Sequence, residues 1–197
     1  EYLSHCANAS SNPILVALNG CQGSGKSTLA DYLATYLSDN FGTVVETISL
    51  DDFYLGHESR GELSRDIHPL LATRGVPGTH DITFLNETLD RLIDKRKATG
   101  TLIPRFDKST DDRKPKAQWS VVVRKPDIIF LEGWCLGAEP ADNACLIEPI
   151  NELERSEDRE LTWRTYVNEQ LKCRYMPIYS RFDIWIMLKA PSFESVF

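Results

Sequence analysis

The sequence lacks the excess of basic residues with which proteins of nucleic acids and membrane surfaces neutralise phosphates. Its 29 acidic residues outnumber 22 lysines and arginines, so the formal net charge is −7 over 197 residues. We therefore expect neither a nucleic-acid partner nor a membrane partner, and any bound anion must meet a local cluster of positive charge.

Paired cysteines and long apolar runs are also missing. The five cysteines are odd in number and scattered, without CxxC or Cys/His ligand spacing, a pattern that supports neither a disulfide framework nor a zinc site. The longest apolar runs have strand length, and the N-terminus has no basic-then-apolar signal pattern. We therefore expect reduced thiols and a cytoplasmic protein.

The apolar residues that are present suffice for one domain. A chain of 197 residues with 42% hydrophobic content buries one core and is too short for two large ones. It begins at Glu1 without methionine and ends in APSFESVF, so we interpret residues 1–197 as a single domain and expect it to be a piece of a longer protein. The composition sets no oligomeric state.

The order of the predicted elements indicates an α/β fold. Apolar or β-branched runs predict strands at residues 14–18, 43–50, 127–132 and 182–188, of which the first and the last two have the pattern of buried strands. Apolar residues at helical spacing predict a helix that follows the first strand and ends at Asn40. They predict further helices over residues 82–97, with Asp81 as N-cap, and over residues 157–175. The polar stretch 108–119 predicts a mobile surface loop. Strands that alternate with helices predict a parallel, doubly wound sheet.

A glycine-rich loop lies between the first strand and its helix. Residues 20–28, GCQGSGKST, match G-x-x-x-x-G-K-[ST] in the strand-loop-helix context that this phosphate-binding motif requires. Glycines let backbone N–H groups converge on phosphate oxygens, and the helix adds its positive N-terminal end. The predicted nucleotide-binding residues are Gly20, Gly23, Ser24, Gly25, Lys26, Ser27 and Thr28. Lys26 would contact the β- and γ-phosphates of ATP, and the Ser27 hydroxyl would bind Mg²⁺.

Acidic residues end the next two predicted strands. Asp51 and Asp52 follow residues 43–50, and Glu132 closes 127–132. Ligands of open α/β sheets bind beyond the carboxyl ends of the strands, so we expect these acids near the phosphate loop. One aspartate would accept the proton of an attacking hydroxyl while the other caps its turn, and Glu132 would approach Mg²⁺ directly or through water. The absence of an N-K-x-D segment counts against a GTP switch.

These motifs resemble the P-loop glycerate kinases, the plant-type D-glycerate 3-kinase and its bacterial and fungal relatives. In chain order they are NGCQGSGKSTLA, SLDDFYL, HPLLATRGVPGTHD, PRFDKS, FLEGW and YVNEQL, and the resemblance covers residues 14–197. This family is similar to uridine kinase, phosphoribulokinase and bacterial pantothenate kinase. The resemblance implies a P-loop NTPase of the nucleoside-kinase-like type that uses ATP and Mg²⁺.

The resemblance also implies roles for individual residues. Asp51, Lys26 and Glu132 would be catalytic, with Asp51 as base because the first acid of the D-x-F-Y-like turn is the shared one. The acceptor side would comprise Tyr54, Arg74, His80, Asp81, Arg105 and Lys108. A carboxylate needs Arg or Lys, and hydroxyls need an acid or imidazole. That set suits a small hydroxy acid, and the family implies glycerate.

The sequence departs from the family at its end. Family members continue into a lid helix with further arginines and a last strand, which this sequence lacks, so we expect ATP binding with weak catalysis. The alternatives are a nucleoside or pantothenate kinase and a non-catalytic ATP-binding regulatory protein. Asp51, Glu132, Arg105 and Lys108 together favour the enzyme, because a nucleotide binder needs no charges on the acceptor side.

Overall fold

The computed structural model describes residues 1–94 and 96–192, and its centre is a parallel sheet. The sheet has the strand order β2-β7-β1-β8, with β1 at Ile14–Gly20, β2 at Val45–Ser49, β7 at Ile128–Gly133 and β8 at Ile184–Leu188. The expected doubly wound α/β fold is confirmed. The last residues of the predicted domain, 193–197, lie outside the described residues.

Helices cover both faces of this sheet, and two short antiparallel strand pairs form separate sheets. The helices are α1 Tyr2–Ala9, α2 Lys26–Phe41, α3 His57–Asp66, α4 Ile82–Ile93, α5 Glu152–Glu157, α6 Thr162–Gln170 and α7 Met176–Tyr179, with a π-helical turn at Leu171–Tyr175. The antiparallel pairs join β3 Leu102–Ile103 to β6 Ser120–Val121, and β4 Phe106–Asp107 to β5 Asp112–Arg113. None of the described helices has the length and apolar character to cross a bilayer.

The core is divided by the sheet into two apolar clusters. Successive side chains of β1 point to opposite faces, so Leu15 and Ala17 join the cluster of α4 while Val16 joins that of α2. All residues of β7 are buried, as expected for a strand covered on both faces. The continuous apolar runs at residues 14–18 and 128–131 have this physical cause.

Local hydrogen bonds explain where the predicted helices begin and end. The Asp81 carboxylate accepts from the Phe84 N–H at 3.0 Å and caps α4, as predicted. The helix ends at Ile93 rather than near residue 97, because Asp94 leaves helical geometry; residue 95 lies outside the described residues. The helix predicted over 157–175 starts five residues late, since the Asp158 carboxylate accepts from the N–H of Trp163 at 2.8 Å.

Three segments differ from expectation. The strand at 182–188 was expected to be buried, but β8 is the sheet edge within the described chain, and Trp185 and Met187 are 44% and 69% exposed. The stretch 108–119, for which a mobile surface loop is predicted, contains elements that the sequence did not indicate, β5 and a 3₁₀ turn at Lys116–Gln118. Helix α3 was not predicted, because its polar sequence, HESRGELSRD, shows no apolar stripe.

The two-sided core predicts a large effect of truncating its central aromatic residue. Phe130 on β7 is fully buried, so Phe130→Ala should lower the free energy of unfolding by about 3–5 kcal/mol. Urea denaturation measures this change, with the exposed Met187→Ala as the control, expected within about 0.5 kcal/mol of the parent. Equal losses for the two variants would contradict the position of Phe130 in the core.

Candidate active site

A cavity of about 820 Å³ lies at the carboxyl ends of β1, β2 and β7. It is lined by Gln22, Gly23, Lys26, Ser27, Ser49, Asp51, Asp52, Tyr54, Thr73, Arg74, Gly75, Lys108, Glu132, Gly133 and Trp134. The glycine-rich loop forms one side, and the segment after β2 forms another. This is the edge at which open α/β sheets bind ligands.

The glycine-rich loop has a backbone conformation that requires glycine. Gly23 and Gly25 have φ of 76° and 85°, a left-handed region that disfavours other residues. Gly25 is the N-cap of α2 and no side chain in the described chain caps this helix, which also has no acid in its first turn. The first N–H groups and the positive end of the helix are therefore available to an anion. Lys26 Nζ donates to the Cys21 carbonyl at 2.8 Å and lies against the same loop.

Two oxygen ligands suited to Mg²⁺ meet beside this loop. Ser27 Oγ donates to Glu132 Oε1 at 3.2 Å, which joins the start of α2 to the end of β7. The described residues contain no group of three or more His, Cys, Asp or Glu side chains that could hold a metal by themselves. One or two protein oxygens, completed by phosphate and water, is the usual arrangement for Mg²⁺ at a nucleotide. The residues therefore fit an Mg²⁺–nucleotide complex.

The neighbouring aspartates after β2 have different partners. Both belong to the 3₁₀ segment Leu50–Phe53. Asp51 Oδ2 accepts from Lys108 Nζ at 2.7 Å. Asp52 accepts from Arg105 Nη1 at 2.6 Å and from the Phe106 N–H at 3.0 Å. Asp52 was expected to cap its own turn. Instead, each of its carboxylate oxygens accepts one hydrogen bond, and these two bonds link the segment after β2 to β4.

An aromatic layer of buried rings lies beneath Asp51. Tyr54 stacks on His80 with ring centroids 4.2 Å apart, and Tyr175 Oη lies 2.7 Å from His80 Nδ1. Burial raises the pKa of the Tyr54 hydroxyl well above its ordinary value, and the charge of Asp51 raises it further. Tyr54 is therefore a neutral wall of the cavity next to the carboxylate.

His80 is a neutral imidazole. Burial lowers the pKa of its ring from 6.5 to about 3, against an opposing effect of Asp51. Tyr175 Oη accepts from the Gly78 N–H at 3.1 Å and is hydrogen-bonded to His80 Nδ1, which leaves Nε2 as the second ring nitrogen. That nitrogen is buried without a partner among the described residues.

The structure brings only part of the predicted acceptor side to the cavity. Tyr54, Arg74 and Lys108 line it, whereas His80, Asp81 and Arg105 do not. Asp81 caps α4 and also pairs with Arg113 at 3.3 Å. Arg105 is held by Asp52 and by Ser120 Oγ at 3.0 Å.

The predicted nucleotide residues are divided in the same way. Lys26, Ser27 and Gly23 line the cavity, while Gly20, Ser24, Gly25 and Thr28 shape the loop behind them. A Cβ at Gly20 would lie 2.6 Å from Ser24 Oγ, so the loop closes on itself at this point.

Sequence reasoning missed several residues at or near the cavity. Trp134 follows Glu132 at the end of β7, and the strand-end rule that found Glu132 also applies to it. Arg60 and Asp111 left no such signal, because their contact joins residues 51 positions apart on two segments of polar sequence. Hydrogen bonds from Arg60, and then from Arg74, hold the pKa of Asp111 below its usual range.

The buried neutral His80 predicts a loss of stability in acid. The unfolded chain binds a proton at this ring below about pH 6.5 and the folded chain does not until about pH 3, so the free energy of unfolding falls as the pH decreases through 6.5. The slope is about 1.4 kcal/mol per pH unit, or about 2 kcal/mol between pH 6.5 and 5. Urea unfolding at pH 7, 6 and 5 measures it. His80→Gln should have a shallower slope, and parallel slopes for the two proteins would contradict the neutral imidazole.

Comparison with known proteins identifies similar kinases. The protein described as "Uncharacterized kinase mug58" from Schizosaccharomyces pombe is 37% identical over 194 residues, which cover 94% of this chain and 68% of that protein. The chloroplastic D-glycerate 3-kinase of Arabidopsis thaliana is 31% identical over 186 residues, 90% of this chain and 38% of that protein. No protein-family model matches the chain.

A solved structure has a similar fold. The D-glycerate 3-kinase from Cryptococcus neoformans var. grubii superposes with a TM-score of 0.78 at 28% identity, over 94% of this chain and 69% of that one. The present chain thus spans about two thirds of the two fungal proteins and well under half of the plant enzyme.

Proposed function

Because the chain belongs to the family of P-loop kinases that includes D-glycerate 3-kinase, we propose that it transfers the γ-phosphate of ATP to a hydroxyl of glycerate or a similar small hydroxy acid. One observation carries the proposal: Asp51 faces the same cavity as the phosphate loop, and the cationic side chains of Arg74 and Lys108 line that cavity with it. A protein that only binds a nucleotide has no use for those groups.

The phosphate loop supplies the donor half of the site. Its backbone N–H groups and the start of α2 bind the phosphates, and Lys26 adds a point charge at the transferred group. Ser27 and Glu132 would hold Mg²⁺, directly or through water, since their oxygens lie 3.2 Å apart. The metal, when bound, supplies charge that neutralises the β- and γ-phosphate oxygens.

Asp51 acts on the acceptor. Phosphoryl transfer through a loose transition state needs little from a base beyond alignment of the attacking oxygen and late removal of its proton. Strand β7 lies between β2, which leads to this carboxylate, and β1, which leads to the phosphate loop. The ion pair of Asp51 is with Lys108, whose side chain is 62% exposed. An ion pair with so exposed a lysine is weak, so Asp51 can exchange Lys108 for the acceptor hydroxyl.

A panel of acceptors tests the proposal. The protein, in the longest natural form of its chain, is incubated with Mg²⁺–ATP and glycerate, glycerol, uridine, pantothenate or ribulose 5-phosphate, and initial rates of ADP release are measured. We expect glycerate to have the highest kcat/KM, with glycerol far below it for want of a carboxylate. Turnover of uridine or pantothenate instead would show a kinase of another substrate class. ATP binding without any turnover would support the regulatory alternative.

The two aspartates should respond differently to the same substitution. Asp51→Asn keeps the shape of the side chain but removes its charge, so kcat with glycerate should fall by roughly 10²-fold or more while ATP binding persists. Asp52→Asn removes the ion pair with Arg105 that helps to hold β4 in place. It should lower the melting temperature but have a smaller effect on turnover. Lys26→Ala is the control for lost nucleotide binding. Steady-state kinetics and nucleotide titrations measure these effects. Near-normal turnover by the Asp51→Asn variant, together with an inactive Asp52→Asn variant, would assign the acceptor hydroxyl to Asp52 and the structural role to Asp51.

A further inference from the structure

Two arginines at the wall of the cavity share one carboxylate. Arg60 Nη2 and Nη1 donate to the two carboxylate oxygens of Asp111 at 2.8 and 3.1 Å, and Nη2 also donates to its backbone carbonyl at 2.7 Å. Arg74 Nη1 donates to Asp111 Oδ1. These three residues, here termed the Arg60 cluster, join α3, the turn before α4 and the β4–β5 hairpin.

The Arg60 cluster retains one positive charge. Two guanidinium groups face a single carboxylate, and no other carboxylate among the described residues pairs with either arginine. Arg60 is fully buried, whereas the side chain of Arg74 is 28% exposed and lines the cavity. The uncompensated charge is therefore presented to the cavity by Arg74.

The orientation of Arg74 is restrained on two sides. Its guanidinium lies over the Phe106 ring at 5.6 Å, with that of Arg60 at 5.8 Å from the same ring. Its hydrogen bonding within the described residues is through Nη1, to Asp111. The other nitrogens of the planar guanidinium thus remain for a ligand, and a fixed fork of donors is the group that recognises a carboxylate in two-point geometry.

This arrangement is costly for the fold. Arg60 is a charge removed from water, and its Nε is buried without a partner in the described chain. Asp111 has φ of 55°, a left-handed conformation that aspartate adopts less readily than glycine. Apolar residues of similar volume commonly replace a buried ion pair without loss of stability, so stability alone gives no reason for the cluster.

We propose that Arg60 and Asp111 are positioning residues that orient the Arg74 guanidinium so that it binds the carboxylate of the acceptor in the cavity. Through Arg74 they determine the preference of the protein for hydroxy acids over neutral alcohols. The inference rests on the proposed kinase function and names the group that selects the substrate class. Lys108 is less suited to this role, because its ammonium is paired with Asp51 and its side chain is 62% exposed.

A double variant separates positioning from charge. Arg60→Met combined with Asp111→Gly removes one positive and one negative charge, so the cluster keeps its single net charge on Arg74, and it removes the carboxylate oxygen that binds Arg74. Glycine adopts the left-handed conformation of residue 111 without strain. The loss of orientation should raise the KM for glycerate roughly 10- to 100-fold, the scale of a lost hydrogen bond between charged groups. The kcat/KM for glycerol and the KM for ATP should change little.

Matched controls keep the test decisive. Arg65→Met removes an exposed arginine from the same helix and should leave all constants unchanged. Arg74→Met should lose the preference for glycerate entirely. Thermal melting verifies folding, and if the double variant does not fold, Arg60→Lys replaces it. That variant keeps the charge but cannot bridge both oxygens of Asp111, so it should show the same selective rise in KM.

Direct binding distinguishes failure of this inference from failure of the proposed function. Calorimetric titration of glycerate and of glycerol is done with a non-hydrolysable ATP analogue bound. In one outcome, the wild type phosphorylates another acceptor while the double variant still binds glycerate more weakly than the wild type does. In that case the proposed substrate is wrong, but the inference about the carboxylate site is supported. The inference is overturned if the double variant binds and uses glycerate like the wild type, if glycerol is affected equally, or if the wild type binds no glycerate.

Discussion

The register of three parallel strands is the constraint on which the site depends. Glu132 of β7 is level with Leu18 of β1 and with Ser49 of β2. Because hydrogen bonding between the strands aligns these ends, the phosphate loop after β1, the aspartates after β2 and the glutamate of β7 all open onto one edge. A slip of one residue would turn the Glu132 side chain to the other face of the sheet and separate it from Ser27.

A second consequence follows from the bonds of Asp52. This residue holds Arg105 and the backbone of Phe106, and Phe106 begins the hairpin of β4 and β5. The hairpin in turn carries Lys108 to Asp51 and Asp111 to the two arginines. The carboxylate of Asp52 therefore helps to position the cationic side of the cavity, while the carboxylate of its neighbour Asp51 is paired with Lys108. The two adjacent aspartates thus have different partners, although both line the cavity.

The parts of the fold that depend on local interactions could be predicted from the sequence. The glycines of the phosphate loop, the apolar runs of β1 and β7 and the cap of α4 by Asp81 each depend on residues within a few positions of one another. Helix α3 was missed because its sequence has no apolar stripe: its buried residue is Arg60, whose partner Asp111 lies 51 residues away. The exposure of β8 could not be predicted either, since an apolar run does not indicate which strand lies at an edge.

The sequence by itself determined the phosphate loop, the acids at the strand ends and the kinase family, because each is written in short contiguous motifs whose chemistry is local. The tertiary structure decided that Asp51 pairs with Lys108 and Asp52 with Arg105, that Asp81 pairs with Arg113, and that Arg74 carries an uncompensated charge. These outcomes depend on ion pairs between residues more than thirty positions apart. Only the folded chain brings such groups within hydrogen-bond distance, and a charged side chain in the sequence does not indicate which of many opposite charges it will meet.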